Sequence, residues 1–146
     1  MFTYIIIGAG SAGCVLANRL SADPACQVLL LEAGGPDSNP EISIPGRWSK
    51  LLLSSLDWSY QSTPQPHLNN RRIDLNRGKV LGGSSAINGM VYIRGHRWDY
   101  DQWAAMGNEQ WSFADVLPYF QKAENFAGDQ TEAIYGTDGP LAIAQI

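Results

Sequence analysis

The chain opens with an unbroken apolar run, Tyr4 to Ile7, that stops abruptly at Gly8. Its β-branched residues and lack of polar alternation predict a short strand covered on both faces, as in a parallel sheet. From Ser11 to Leu20 the pattern switches to helical spacing, with Val15, Leu16 and Leu20 available to face that sheet. Asp23-Pro24 ends the helix, because a residue before proline is pushed out of the helical region. A second run, Gln27 to Leu31, predicts a second buried strand that finishes against Glu32. Strand, helix and strand in this order form a βαβ unit, so the expected class is α/β with a Rossmann-like parallel sheet.

Beyond Glu32 the regular periods disappear. Ala33-Gly34-Gly35-Pro36 leads into a stretch rich in Pro, Asn and Ser that runs to about Arg77. Excursions of this length inside a domain are usually functional, and this one is long enough to wrap an extended ligand. Helical spacing returns in Asp99 to Met106 and in Ser112 to Glu124, where Val116, Leu117, Phe120 and Ala123 share a face. Trp98, Trp103, Trp111, Tyr92, Tyr100 and Phe113 fall in or beside these helices. We read them as core or interface residues in preference to an aromatic cage for a quaternary ammonium group.

Composition narrows the function classes. With 146 residues, 45% of them hydrophobic and 16% charged, the chain has the make-up of a globular domain. A net charge of −4 supplies no basic stripe for phosphates along a duplex, so nucleic acid is not an expected partner. No apolar run reaches the roughly 18 to 20 residues of a membrane span, and the strand at Tyr4 leaves no room for a signal sequence. A cytoplasmic location is therefore expected, with peripheral membrane association left open. Cys14 and Cys26 lack the spacing of a disulfide framework or a metal site and read as packing residues. His67 and His96 have no ligand-type neighbours, so no metal is expected.

Gly8, Gly10 and Gly13 form G-x-G-x-x-G at the junction of the first strand and helix. The first glycine makes the tight turn, the second lets backbone approach a pyrophosphate, and the third lets helix pack closely on strand. Backbone N–H groups and the positive end of the helix dipole then hold the diphosphate without a lysine. Glu32 follows Gly13 by 19 residues at the tip of the second strand. A carboxylate there accepts both ribose hydroxyls of an adenosine and disfavours a 2′-phosphate, which argues against NADP but leaves FAD and NAD open. Arg94 and His96 read as solvated or ion-paired surface groups.

A second glycine-rich loop, RGKVLGGSSAINGMVYIRG from Arg77 to Gly95, is more than an NAD domain needs. Read for itself, Gly82-Gly83-Ser84-Ser85 is either a ligand contact or a turn with a serine cap for a following helix. Together with GAGSAG and LLLEAGG, the segment resembles the signature of the glucose-methanol-choline oxidoreductase family. The similarity continues through DYDQWAAMGNEQWSFADVLPYFQKAE (Asp99 to Glu124) and YGTDGPLAI (Tyr135 to Ile143), covering essentially all of the chain. Within the family it is most similar to acceptor-type alcohol dehydrogenases and choline dehydrogenases.

The resemblance implies FAD as cofactor, with Gly8, Gly10, Ser11, Ala12 and Gly13 at the diphosphate and Glu32 and Ala33 at the adenosine ribose. It further implies contacts from Val80, Gly82, Gly83 and Ser84, with Asn88, Gly89, Met90 and Val91 near the flavin. Some relatives attach FAD through a His just before the Asn; Ile87 stands there in this sequence, so non-covalent binding is expected. In such enzymes a primary alcohol loses its hydroxyl proton to a base while hydride passes to the flavin. The base is a His far toward the C-terminus, and neither His67 nor His96 matches it. Residues 1–146 are therefore expected to be the N-terminal part of an FAD-binding domain, without the substrate-binding and catalytic region, inactive alone and left with an exposed sheet edge. The substrate in the intact protein would be a small alcohol, with the electron acceptor undetermined. The competing expectation is a stand-alone dinucleotide-binding module.

Overall fold

Four consecutive apolar residues favour extended backbone, and the chain obeys: β1 is Tyr4–Ile7 and pairs in parallel with β2, Val28–Leu31, from Tyr4↔Val28 to Ile7↔Leu31. A parallel pair needs a crossover, which α1, Ser11–Leu20, supplies. The structure is a computed structural model and describes residues 1–128 and 134–144. The chain divides into two units, Met1–Val91 and Tyr92–Ile146.

In the first unit α1 covers the sheet with Gly13, Ala17 and Leu20, while Val15 and Leu16 are more than half exposed. Helical geometry explains the departure from expectation. Gly13 is the point of closest approach, and Ala17 and Leu20 follow it at spacings of four and three. Nor are the strands buried on both faces: Ile5 and Ile7 are 61% and 86% exposed. One helix packs on this pair of strands, so alternate side chains have no cover. Cys14 is likewise exposed, and its thiol donates to the Ala9 carbonyl at 3.2 Å.

The hydrophobic core of this unit lies under the second glycine loop. Leu51, Val80 and Ile87 are buried together, with Ile42, Leu52, Leu56 and Ala86 packed around them. The irregular excursion, which supplies Ile42, Leu51, Leu52 and Leu56 of this core, contains a 3₁₀ turn at Pro45–Lys50 and a small antiparallel pair, β3 (Tyr60–Gln61) and β4 (Asp74–Leu75). Asp57 ties it down. Its buried carboxylate accepts the N–H groups of Leu53 (2.8 Å), Ser59 (3.0 Å) and Arg77 (2.9 Å) and the Asn76 amide. Burial pushes the acid up, but these four donors prevail and hold it at about 2 against an ordinary 3.8.

In the second unit α2, Arg97–Ala105, and α3, Phe113–Ala123, each begin with a reciprocal capping box. His96 pairs with Asp99 in the first and Ser112 with Asp115 in the second. Tyr100 is buried against Trp103, Phe113 and Phe120, ring centroids 5.3 to 6.1 Å apart. The aromatic core reading therefore holds for Tyr100, whereas Trp98, Trp103 and Trp111 stand 45% to 61% exposed. Two short parallel strands, β5 (Glu124–Phe126) and β6 (Leu141–Ile143), complete the unit. No helix among the described residues is long and apolar enough to cross a membrane.

Arg94 departs from the expected surface placement. Its guanidinium is bidentate on the fully buried Glu124, which also accepts the Tyr92 hydroxyl and the Gly136 N–H. Arg94 donates further to the Ile134 carbonyl and lies over the rings of Phe120 and Tyr135. Burial alone would raise the Glu124 acid; Arg94, Tyr92 and Gly136 together hold it below the usual range.

Asp57→Asn is expected to lower stability by about 2 kcal/mol at neutral pH, since a depressed folded-state pKa favours the fold above the unfolded value. That contribution is present above about pH 4 and disappears as pH falls toward 2, so denaturant titrations of wild type and variant should converge in acid. Glu124→Ala strands a buried guanidinium and is expected to cost about 3–5 kcal/mol in thermal unfolding, more than replacing Arg94 and Glu124 together by Met and Leu.

Candidate functional site

The first-loop geometry follows from close packing of backbone. The Gly8 N–H caps β2 by donating to the Leu31 carbonyl at 2.7 Å, and the chain turns there with φ +94°. A Cβ on Gly13 would stand 1.9 Å from the Gly8 carbonyl oxygen, so any side chain would force α1 off the strand. Gly10 caps α1 without a side chain and has open space where its own Cβ would be. The first-turn N–H groups of a helix have no partner within it, and here they point past a residue that leaves room for an anion.

Glu32 closes this loop from the second strand. One carboxylate oxygen accepts the Ala9 N–H at 2.7 Å and the other the Gly34 N–H at 2.9 Å. These bonds, Gly34 first and Ala9 next, hold the acid below its usual range despite desolvation. A carboxylate offers about four acceptor positions, so these two bonds leave acceptor capacity for a hydroxyl donor.

The second glycine loop sits directly on the first. The Gly82 N–H donates to the Ala9 carbonyl at 2.8 Å, and a Cβ on Gly83 would lie 2.7 Å from the Gly10 Cα. Gly83 also has φ +58°, so both the space and the backbone exclude a side chain. The Asp57 latch delivers this loop: Trp58 N–H bonds the Arg77 carbonyl and Lys79 N–H the Leu56 carbonyl.

Of the residues singled out in the sequence, Gly8, Gly10, Ser11, Ala12, Gly13, Glu32, Gly82 and Gly83 come together around the start of α1. Ala33 is exposed beside Glu32. Val80 is fully buried in the core, leaving no side-chain surface at the loop. Ser84 accepts the Gly78 N–H at 3.1 Å, and Ser85 donates to the Gly82 carbonyl. The serine-cap alternative is not realised, because Gly83–Ala86 is a 3₁₀ turn capped by Gly82. Past the buried Ile87, Asn88 accepts the Met90 N–H at 2.9 Å in a local turn, with Met90 at φ +56°. Gly89 faces the Trp48 indole, and Met90 and Val91 are 50% and 73% exposed. A small cavity of about 50 Å³ between Trp48, Leu51, Asn88 and Met90 marks that end.

Sequence patterns do not single out Ala9, Gly34 and Asp57, which hold the two loops together. The only advance sign of Gly34 is its place in the AGG run. His67 lies exposed in the turn Pro66–Leu68, and the His96 ring is engaged as a helix cap. No group of three or more potential metal-ligating side chains occurs among the described residues.

A family profile described as GMC oxidoreductase matches residues 2–145. Oxygen-dependent choline dehydrogenase of Sinorhizobium fredii is 52% identical, over 96% of this chain and 26% of that protein. Alcohol dehydrogenase [acceptor] of Pseudomonas putida is 51% identical, over 100% of this chain and 27% of that protein. The solved structure of an FAD-dependent oxidoreductase from Chaetomium thermophilum matches with a TM-score of 0.84 and 39% identity, over 99% of this chain and 26% of that one. The chain thus spans about a quarter of the length of these relatives.

Gly83→Ala is expected to weaken adenine-dinucleotide binding at least about tenfold by forcing the loops apart, and to lower stability by about 1–3 kcal/mol. Gly35→Ala, whose Cβ would meet nothing within 4 Å, is the control and should leave both nearly unchanged. Ligand titration with parallel thermal unfolding checks the contrast.

Proposed function

The chain belongs to the GMC oxidoreductase family, and from that membership we propose that its residues bind FAD in an oxidoreductase acting on the CH–OH group of an alcohol. The contact between the two glycine loops carries this reading. A single nicotinamide dinucleotide needs only the first, whereas a backbone cradle continued by Gly82 and Gly83 suits the longer span from pyrophosphate to isoalloxazine. The choline and alcohol dehydrogenase relatives support a small primary alcohol, choline or an aliphatic one, as substrate.

The donor set fits the cofactor. Gly10, Ser11, Ala12 and Gly13 would face the diphosphate with neutral N–H groups and the helix dipole, while Gly8, whose N–H is taken by the Leu31 carbonyl, would serve through the turn that it makes. Glu32, kept ionised, would take the adenosine ribose hydroxyls on its remaining acceptor capacity. Gly82, Gly83 and Ser84 would continue the contact, and Asn88, Gly89, Met90 and Val91 would border the flavin. Val80 would contribute by supporting that loop from the core. Bound FAD supplies the two-electron acceptor for hydride from the alcohol carbon. We assign no residue of this chain the role of taking the hydroxyl proton.

Ile87 stands where an attachment residue would be, and its buried alkyl side chain has no nucleophile, which supports non-covalent FAD. Acid precipitation of the FAD-loaded protein should leave yellow flavin in the supernatant; colour retained in the pellet would contradict this. Residues 1–146 loaded with FAD should not be bleached by choline or ethanol under anaerobic conditions. Bleaching would place a proton acceptor within the chain, and failure to take up flavin while binding NAD would overturn the cofactor assignment.

A further inference from the structure

Glu32 is placed to do more than meet a ribose. Its side chain is already committed to two backbone donors, Ala9 N–H and Gly34 N–H. Both of those residues touch the second glycine loop. Ala9 is fully buried and its carbonyl receives the Gly82 N–H at 2.8 Å. Gly34 lies so close to the Lys79–Val80 peptide that a Cβ would stand 2.1 Å from the Lys79 carbonyl oxygen. The next residue continues the contact, because the Gly35 carbonyl accepts the Leu81 N–H at 2.9 Å and Gly35 forms a parallel bridge with Val80. One carboxylate therefore fixes both surfaces on which residues 79–83 are seated.

We propose that Glu32, with Gly34, is a positioning residue for the flavin-side loop, so that the corner recognising the adenosine ribose also sets the seat of Gly82 and Gly83. The inference rests on the FAD reading above and goes beyond it. A residue acting on ribose alone would influence only the adenosine half of the ligand. Loss of either carboxylate bond would instead free Ala9 or Gly34 and let the second loop move. Glutamine is the discriminating substitution. Its amide keeps one acceptor oxygen and puts an NH₂ group against the other backbone N–H, leaving that donor unpaired at nearly constant volume.

The test is a double cycle in FAD affinity, read by flavin fluorescence on apoprotein. Wild type and Glu32→Gln are each titrated with FAD and with an FAD analogue whose adenosine ribose lacks both the 2′- and 3′-hydroxyls. The expected result is that Glu32→Gln weakens binding of the analogue itself about ten- to hundredfold, the scale of a charge-assisted hydrogen bond. At saturation, the visible band of FAD bound to the variant should also shift from that of wild type, which a general loss of stability would not produce. Equal affinity of wild type and Glu32→Gln for the analogue, with an unchanged band, would overturn the proposal and leave Glu32 as a ribose ligand only. Gly34→Ala supplies an independent arm, because it adds no group that could meet the ribose: a shifted band supports the proposal, and an unshifted band at full occupancy counts against it. Should Gly34→Ala not fold, the Glu32→Gln cycle decides. A wild-type protein that takes up neither flavin would overturn the FAD reading and this inference with it, an outcome distinct from flavin binding that is indifferent to Glu32.

Discussion

The first unit depends on backbone meeting backbone without side chains between. Gly83 rests on Gly10, Gly82 donates to Ala9, and Gly13 lies against Gly8. The Gly83 and Gly13 contacts require a missing Cβ, and together the three place two loops from distant parts of the sequence on one edge of α1. Such contacts contribute little apolar burial. Their order must therefore come from elsewhere, and two acids provide it: Asp57, which fastens the start of the second loop, and Glu32, which fastens the corner beneath it.

The distribution of buried groups is consistent with this arrangement. The core of Leu51, Val80 and Ile87 supports the second loop rather than the sheet, so the best-packed part of the unit is the cradle. The second unit follows a related logic. Burying Glu124 carries a desolvation cost that hydrophobic replacements would avoid, and that cost is offset because four donor groups converge on it. The Arg94 guanidinium also lies over the rings of Phe120 and Tyr135.

Local rules made the βαβ unit legible in the sequence. Tyr4–Ile7 and Ser11–Leu20 are where period and glycine placement put them, and β2 begins at Val28, one residue later than expected. The same rules misplace burial. Periodicity names a face but not what covers it, so Val15, Leu16 and Ile7 are exposed despite apolar character. The excursion between Glu32 and Arg77 has no period, and its organising residue, Asp57, looks like any loop aspartate until its four donors are brought to it by the fold. Arg94 was hidden for the same reason, since its partner Glu124 is 30 residues away and stands at the end of a helix pattern. For the candidate site, the glycines and Glu32 could be named because their chemistry is local. That Glu32 is already bonded to Ala9 and Gly34, and that Val80 faces the core, required the assembled chain.

If the two loops form one cradle for one cofactor, FAD must protect both at once. Amide hydrogen exchange of the protein, followed by mass spectrometry across an FAD titration, measures this directly. Segments 8–13 and 78–91 should gain protection together, with the same half-saturating FAD concentration. Protection confined to 8–13, or elicited equally well by a nicotinamide dinucleotide, would contradict a shared flavin cradle.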